Sequence, residues 1–164
     1  MPELVDPTPA LYSQWRAAHD EWGPGQHEDG FGLDADDDTS TEAAFAEWTG
    51  RLNRARGRLW WILDDGAVAG GIGLRDAADP SVDRLGHIGY GIRPSRRGRG
   101  LATWALREVL AAARARGLDH VLIVCEKENL ASARVIEHCG GYPEPVVQNT
   151  GRSAVRRYRI DLAE

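Results

Sequence analysis

The residues whose types and spacing suggest chemistry are Arg96-Arg97-Gly98-Arg99-Gly100, a stretch without an apolar side chain. Glycine lets backbone N–H groups come close to a ligand, and arginine attracts phosphate over a distance. A turn of this composition that opens a helix is an anion site. The N–H groups of a first helical turn lack intrahelical acceptors, and the macrodipole favours negative charge there. The same residues also suit a solvated basic loop that only starts a helix. A dinucleotide fingerprint would need a third glycine where Thr103 stands, and a P-loop would need Gly-Lys-Ser/Thr, which is absent.

The flanking elements must hold this turn. Gly86 to Arg93 carries Ile88, Tyr90 and Ile92 at period two, which predicts a strand. Pro94 stops its pairing, because proline has no N–H to donate. From Leu101 the period becomes helical: Leu101, Ala105, Val109 and Ala113, with Leu106 and Leu110, form one stripe that closes at Gly117. His120 to Glu126 is a continuous apolar run suited to a central strand. Asn129 caps a short amphipathic helix in which Ser132, Val135, Ile136 and Cys139 share a face and Gly140-Gly141 ends it.

Upstream, Leu4-Val5 suits a short strand and Leu11 to Trp22 a helix. A second helix begins near Ser40 or Thr41 and carries Phe45, Trp48 and Leu52. Arg58–Leu63 and Ala67–Leu74 are predicted as a hairpin about Asp64-Asp65-Gly66. Gly70, Gly71 and Gly73 in its second strand point to close backbone approach or a bulge. Asp76 to Asp83 reads as a polar connection. Pro145–Gln148 with Ala154–Leu162 reads as a closing hairpin. Trp60 and Trp61 alternate in a strand, so at most one can face a ligand, and most of the six tryptophans are expected in the core.

The 164 residues are read as one domain spanning 1–164, and the net charge of −5 argues against a general nucleic-acid binder. Residues 1–10 lack a basic start and an apolar core, so no secretory signal is expected, and no apolar run is long enough to span a bilayer. Cys125 and Cys139 form neither a metal spacing nor a disulfide framework. A cytoplasmic protein without metal or membrane is the expectation. Glu28, Asp29, Asp34, Asp36, Asp37 and Asp38 crowd one inter-helix segment. They form either a solvated helix start or a lip that attracts cations.

Arg97-Gly98-Arg99-Gly100-Leu101-Ala102 resembles the Arg/Gln-x-x-Gly-x-Gly/Ala acetyl-CoA signature of the GNAT N-acetyltransferases. Gly89-Tyr90-Gly91-Ile92-Arg93-Pro94 is similar to the strand that leads into it. Asn129 to Gly141 resembles the family's Asn-x-x-Ser/Ala helix, which follows the fifth strand. The resemblance is strongest to one bacterial branch and weaker to the ribosomal-protein alanine acetyltransferases. It implies an α/β (α+β) fold: a mixed, mostly antiparallel twisted sheet flanked by about four helices. It also implies acetyl-CoA as co-substrate and direct transfer of its acetyl group to a primary amine. Arg97, Gly98, Arg99, Gly100, Leu101, Ala102 and Thr103 would hold the pyrophosphate. Ile92 would pair with the pantetheine and polarise the thioester carbonyl, and Asn129 with Ser132 would contact the pantetheine from the other side.

Proton transfer needs further groups. By analogy with relatives, His87 and Glu126 are candidate bases. The position where many members carry a tyrosine acid is Ile136 here, so Tyr142 or water would substitute. The acidic segment favours a cationic acceptor, such as a polyamine, an aminoglycoside or a basic peptide N-terminus. A CoA-binding sensor without catalysis and a nucleotide-phosphate protein are the competing readings. Monomer and homodimer both stay open.

Overall fold

The hairpin residues Asp65 and Gly66 have φ of 51° and 75°, the left-handed pair that a two-residue turn matched to strand twist requires. This turn joins β2 (Arg58–Asp64) to β3 (Ala67–Leu74). The computed structural model describes residues 1–25, 27, 29–145 and 154–162. Around the hairpin, β1 (Glu3–Val5) and β4 (Ile88–Ile92) complete an antiparallel sheet in the order β1-β2-β3-β4. A second antiparallel sheet has the order β5-β7-β6, with β5 at His120–Glu126, β6 at Tyr142–Pro143 and β7 at Val155–Asp161.

Alternation along β2 divides the core. Trp61 faces α1 (Tyr12–Asp20) and α2 (Glu42–Arg54), in a cluster with Trp15, Phe31, Phe45, Trp48 and Val68. Trp60 and Ile62 face the other way, with α4 (Leu101–Ala115), α5 (Leu130–His138) and both sheets. Burying each such indole or branched side chain contributes about 1.5–3 kcal/mol. The expected core role of most tryptophans is therefore met, and Trp60 and Trp61 do lie on opposite faces.

The glycine-rich β3 has a direct cause. A Cβ at Gly71 would lie 2.4 Å from the Gly30 carbonyl oxygen, and one at Gly70 would lie 2.0 Å from that of Gly91. The segment through Gly30 lies directly on the backbones of β3 and β4, and no side chain fits between them. The expected bulge lies in β3 itself: Ile62 pairs with Gly70 and Leu63 with Val68, so Ala69 is the extra residue opposite the Ile62–Leu63 step.

Two expectations change. Residues Val82–Leu85 form a one-turn helix, α3, which begins in the segment read as a polar connection and runs two residues past it. The closing strand β7 pairs with β6 at Tyr142↔Arg159 and Pro143↔Tyr158. Val146, Val147 and Gln148, assigned to the closing hairpin from sequence, lie outside the described residues.

Candidate active site

The two sheets meet where β4 begins and then part. The His87 N–H donates to the Leu122 carbonyl at 2.6 Å, and Gly86 bridges Ile123. Past that point β4 pairs with β3 alone and β5 with β7 alone among the described residues.

Ladder phase tells which backbone groups face the opening. Arg75 N–H bonds the His87 carbonyl at 2.7 Å, and Arg93 N–H bonds that of Ala69 at 2.8 Å. The His87 carbonyl and residues 89, 91 and 93 therefore turn toward β3, while Tyr90 and Ile92 aim their N–H and C=O at the free edge. On β5, Leu162 N–H bonds the Asp119 carbonyl at 2.7 Å and Lys127 N–H bonds that of Ala154 at 2.9 Å. By the same alternation Val124 and Glu126 face β4. Two unpaired strand edges thus look at each other across a wedge, which a thin extended ligand can enter as an added strand.

The turn closes one end of this wedge. Gly98 and Gly100 have φ of 74° and 77°, and a Cβ on either would meet open space. Glycine is required there by backbone conformation, and the volume in front of the turn is free. The first intrahelical bond of α4 runs from Trp104 N–H to the Gly100 carbonyl at 3.0 Å, and no side chain caps the helix. The N–H groups of Leu101, Ala102 and Thr103 are left without helical acceptors.

The arginines behave differently from the sequence expectation. Asp64, almost fully buried at the end of β2, accepts from Arg96 Nη1 at 2.8 Å and from Arg99 Nη1 at 2.5 Å. Arg97 donates from Nε to the Ile92 carbonyl at 2.9 Å, and its guanidinium stacks 4.7 Å above the Trp22 ring. Much of the positive charge is therefore neutralised or anchored within the protein. These side chains set the shape of the turn, and attraction for phosphate falls more heavily on the N–H groups. Glu21, at the end of α1, accepts from Arg93 Nε at 2.6 Å and from Ser95 N–H at 2.5 Å, fixing the exit from β4.

A family model described as an acetyltransferase (GNAT) domain matches residues 4–141. The chain belongs to the GNAT acetyltransferases. Its co-substrate is accordingly acetyl-CoA, and the resemblance carried by the turn and the Asn129 helix is upheld at the level of family and fold. Solved GNAT-fold structures agree. A microcin C7 self-immunity acetyltransferase, solved with acetyl-CoA and AMP, is 13% identical over 98% of this chain and 92% of its own, with a TM-score of 0.71. The ribosomal L7/L12 alpha-N-protein acetyltransferase RimL, solved with coenzyme A, is 16% identical over 98% and 93%, with a TM-score of 0.73. YncA of Salmonella typhimurium, a putative acetyltransferase solved with acetyl-CoA, is 16% identical over 99% and 95%, with a TM-score of 0.65. No curated protein matches the chain significantly.

Against this GNAT frame, the three candidate acid–base residues do not come together. His87 is buried, and its Nδ1 accepts the Leu122 N–H at 2.9 Å. A neutral imidazole accepting at Nδ1 carries its proton on Nε2, so no lone pair is left for a base. Its role is to latch β4 to β5. Tyr142 lies on β6, the outer edge of the second sheet, opposite Arg159 of β7, which in turn is opposite Leu122 of β5. Its hydroxyl donates to Asp161 at 3.0 Å, two strands away from the wedge. Glu126 is exposed at the far end of β5, about 13 Å of strand beyond the Leu122 that holds His87.

Asn129 uses Oδ1 to cap α5, accepting from Ser132 N–H at 3.1 Å, and among the described residues its amide NH₂ has no hydrogen-bond partner. Ser132 Oγ lies 2.8 Å from the hydroxyl of Tyr90. Tyr90 is the group that sequence reading passes over, since there it counts only as an apolar strand position. It reaches from β4 across to α5, the same helix on which Ile136 takes the usual tyrosine's place. Burial pushes its phenol above the ordinary tyrosine value, so the hydroxyl stays protonated throughout neutral pH.

The His87 latch gives a pH prediction. Burial, assisted by the nearby His120, Arg157 and Arg75, pushes the His87 pKa below the ordinary 6.5. The unfolded chain then binds this proton more readily than the folded one. Stability from this group is full above about 6.5 and is lost as pH falls below it. His87→Asn keeps an acceptor for Leu122 N–H without titrating. Urea unfolding at pH 7.5 and 5.5 should show a smaller acid loss in the variant than in wild type.

The acidic segment is largely occupied by local bonds. Asp29 is buried, and Asp37 pairs with Arg51 at 2.6 Å. Asp38 accepts from Ser40 N–H at 2.9 Å and from Ser40 Oγ at 2.6 Å, which holds its carboxyl below the usual range. Glu28 lies outside the described residues, and Asp34 and Asp36 are exposed carboxylates without side-chain partners among the described residues. The segment organises the entry to α2. Replacing Asp36, Asp37 and Asp38 together by Asn is expected to lower the thermal melting midpoint slightly, with the acceptor KM changed less than about twofold.

Proposed function

We propose that the protein transfers the acetyl group of acetyl-CoA to a primary amine by direct attack within a ternary complex. The observation that carries this reading is the alignment of the free β4 edge at Tyr90 and Ile92 with the uncapped N-terminus of α4. The α4 N–H groups suit a pyrophosphate, and the strand edge suits the amide-bearing pantetheine arm. The Ile92 N–H is assigned to the thioester carbonyl, where it would stabilise the developing oxyanion. Gly98, Arg99, Gly100, Leu101, Ala102 and Thr103 are assigned to the pyrophosphate, with Arg97 shaping the turn. Asn129, through its NH₂, and Ser132 are assigned to the pantetheine.

Tyr90 replaces Tyr142 in this assignment. Its O–H, oriented by Ser132, would donate a hydrogen bond to the departing thiolate. The acceptor is cationic in the simple sense that a primary amine is protonated at neutral pH, and it must lose that proton before attack. Pairing of β7 between β5 and β6 supports treating residues 1–164 as one domain, since the second sheet is completed from beyond residue 141. Among the described residues, no helix is long and apolar enough to cross a membrane.

The competing reading, a CoA sensor, draws on Ile136 at the family's usual acid position. Thiol release from acetyl-CoA separates the two across spermidine, kanamycin, lysine and an alanine-initiated peptide. Amine-dependent turnover above the hydrolysis background is the expected result. Binding of acetyl-CoA without turnover of any amine would favour the sensor.

A further inference from the structure

The acceptor's proton needs a destination, and neither the latched His87 nor Tyr142 on the outer strand supplies one at the wedge, while Glu126 is exposed at the end of β5. A different pair stands on the opposite face of the first sheet. His19, on the last turn of α1, places Nδ1 3.1 Å from Asp29 Oδ2. Asp29 is buried, and its other oxygen accepts the Phe31 N–H at 3.0 Å, so the carboxylate is fixed at both ends. The His19 ring stacks on Trp15 at 4.9 Å with the planes 7° apart. A carboxylate accepting at Nδ1 selects the tautomer with the proton there and leaves the Nε2 lone pair available. Among the described residues Nε2 has no protein partner, and the side chain is 19% exposed.

Position makes the pair relevant. Gly30, next to Asp29, sits against Gly91, where an added Cβ would come within 2.5 Å of the Gly91 nitrogen. Gly91 precedes Ile92, the residue assigned to the thioester carbonyl. The segment that fixes His19 is therefore braced on the strand at which transfer would occur. Around His19, the ionisable groups are Asp29 and His27 from the loop, and Arg16, Asp20 and Glu21 from its own helix. Arg93, after β4, is held by Glu21, and β3 carries no ionisable side chain.

Building on the acetyl-transfer reading above, we infer that His19, oriented by Asp29, is the general base that deprotonates the acceptor ammonium. His19 Nε2 takes one proton from R–NH₃⁺ and passes it to water. The freed amine attacks the thioester carbon, the C–N bond forms, and the C–S bond breaks. The second proton from nitrogen ends on the CoA thiol, by way of Tyr90 or water. His19 is the catalytic residue in this step and Asp29 its positioning residue.

The test is the pH dependence of amine-dependent thiol release, with spermidine as probe or, if spermidine is inert, the fastest amine of the panel. Wild-type kcat/KM should rise with pH to a plateau, because the base acts only when unprotonated. His19→Gln should lower kcat at pH 7 by about 10²-fold or more and abolish that limb. Its acetyl-CoA Kd, measured by calorimetry, should stay within about twofold. Asp29→Asn should retain the limb at a shifted pH with a smaller loss of kcat. Because Asp29 also holds the Phe31 N–H, circular dichroism accompanies that variant, and His19→Gln is the deciding substitution. An unchanged kcat and pH limb in His19→Gln would overturn the dyad while leaving acetyl transfer standing. A wild type that binds acetyl-CoA but turns over no amine would overturn both.

Discussion

Gly100→Glu is expected to abolish acetyl-CoA binding, with the Kd raised at least about 10²-fold and the fold retained. Gly100 sits at the N-terminus of α4 with φ of 77°, and a Cβ there would meet no atom within 4 Å. The new side chain would extend into the open volume before the helix, where the pyrophosphate is assigned. It would exclude the ligand sterically and repel its charge, and it would itself accept from the free N–H groups. A non-glycine residue in this left-handed conformation costs about 1–2 kcal/mol, so some loss of stability is expected as well. Gly117→Glu is the matching control: φ is 84°, a Cβ there is also unobstructed, and the residue lies past the opposite end of the same helix. It should show a similar stability loss and bind acetyl-CoA normally. Calorimetric titration of both variants, with thermal melts, separates ligand exclusion from backbone strain.

Tyr90→Phe is expected to lower kcat by about 10²-fold, the size of effect found when one donor to a developing charge is removed. The aromatic ring stays, so packing against β5 and α5 is preserved. The lost bond to Ser132 should cost about 1 kcal/mol of stability. Acetyl-CoA affinity should change little, since the hydroxyl is assigned to the departing thiolate and not to the ground-state ligand. Single-turnover thiol release at saturating acetyl-CoA and amine reads the chemical step directly. Tyr142→Phe, at the outer edge strand, should leave that step unchanged. The reverse order of the two variants would restore Tyr142 to the site.

What is legible in the sequence follows a physical pattern. The strand through Ile92, the Gly98–Gly100 turn, the stripe on α4 and the Asn129 cap are all local. Each is written in residues a few positions apart, by periodicity or by a required φ. The hairpin at Asp65-Gly66 is of the same kind. The interactions that shape the site are not local. Asp64 meets Arg96 across 32 residues, Tyr90 meets Ser132 across 42, and Glu21 meets Arg93 across 72. No spacing rule foretells such pairs, because they depend on how two sheets and two helices pack.

The same gap explains the catalytic assignments. His87 has the composition of a base, but sequence alone does not say which edge of β4 is sealed by β5. Tyr142 is near α5 in the chain, yet β6 pairs outward onto β7, away from the wedge. The acidic segment reads as a field-generating lip when its charges are counted without their partners. The His19–Asp29 pair escapes a sequence reading for the opposite reason. Asp29 counts with that segment and His19 is absorbed into a helix face, though only ten residues separate them.

The central claim is that acetyl-CoA lies along the free edge of β4 with its pyrophosphate on the α4 N-terminus. The most direct measurement is a ¹H–¹⁵N correlation spectrum of the assigned protein during titration with acetyl-CoA. Saturable shifts should concentrate on the amides of Tyr90 and Ile92 and on those from Gly98 to Thr103, with Asn129 following. The amides of Gly89 and Gly91, already paired to β3, should move less. Shifts confined to other surfaces, or none at millimolar acetyl-CoA, would contradict the account.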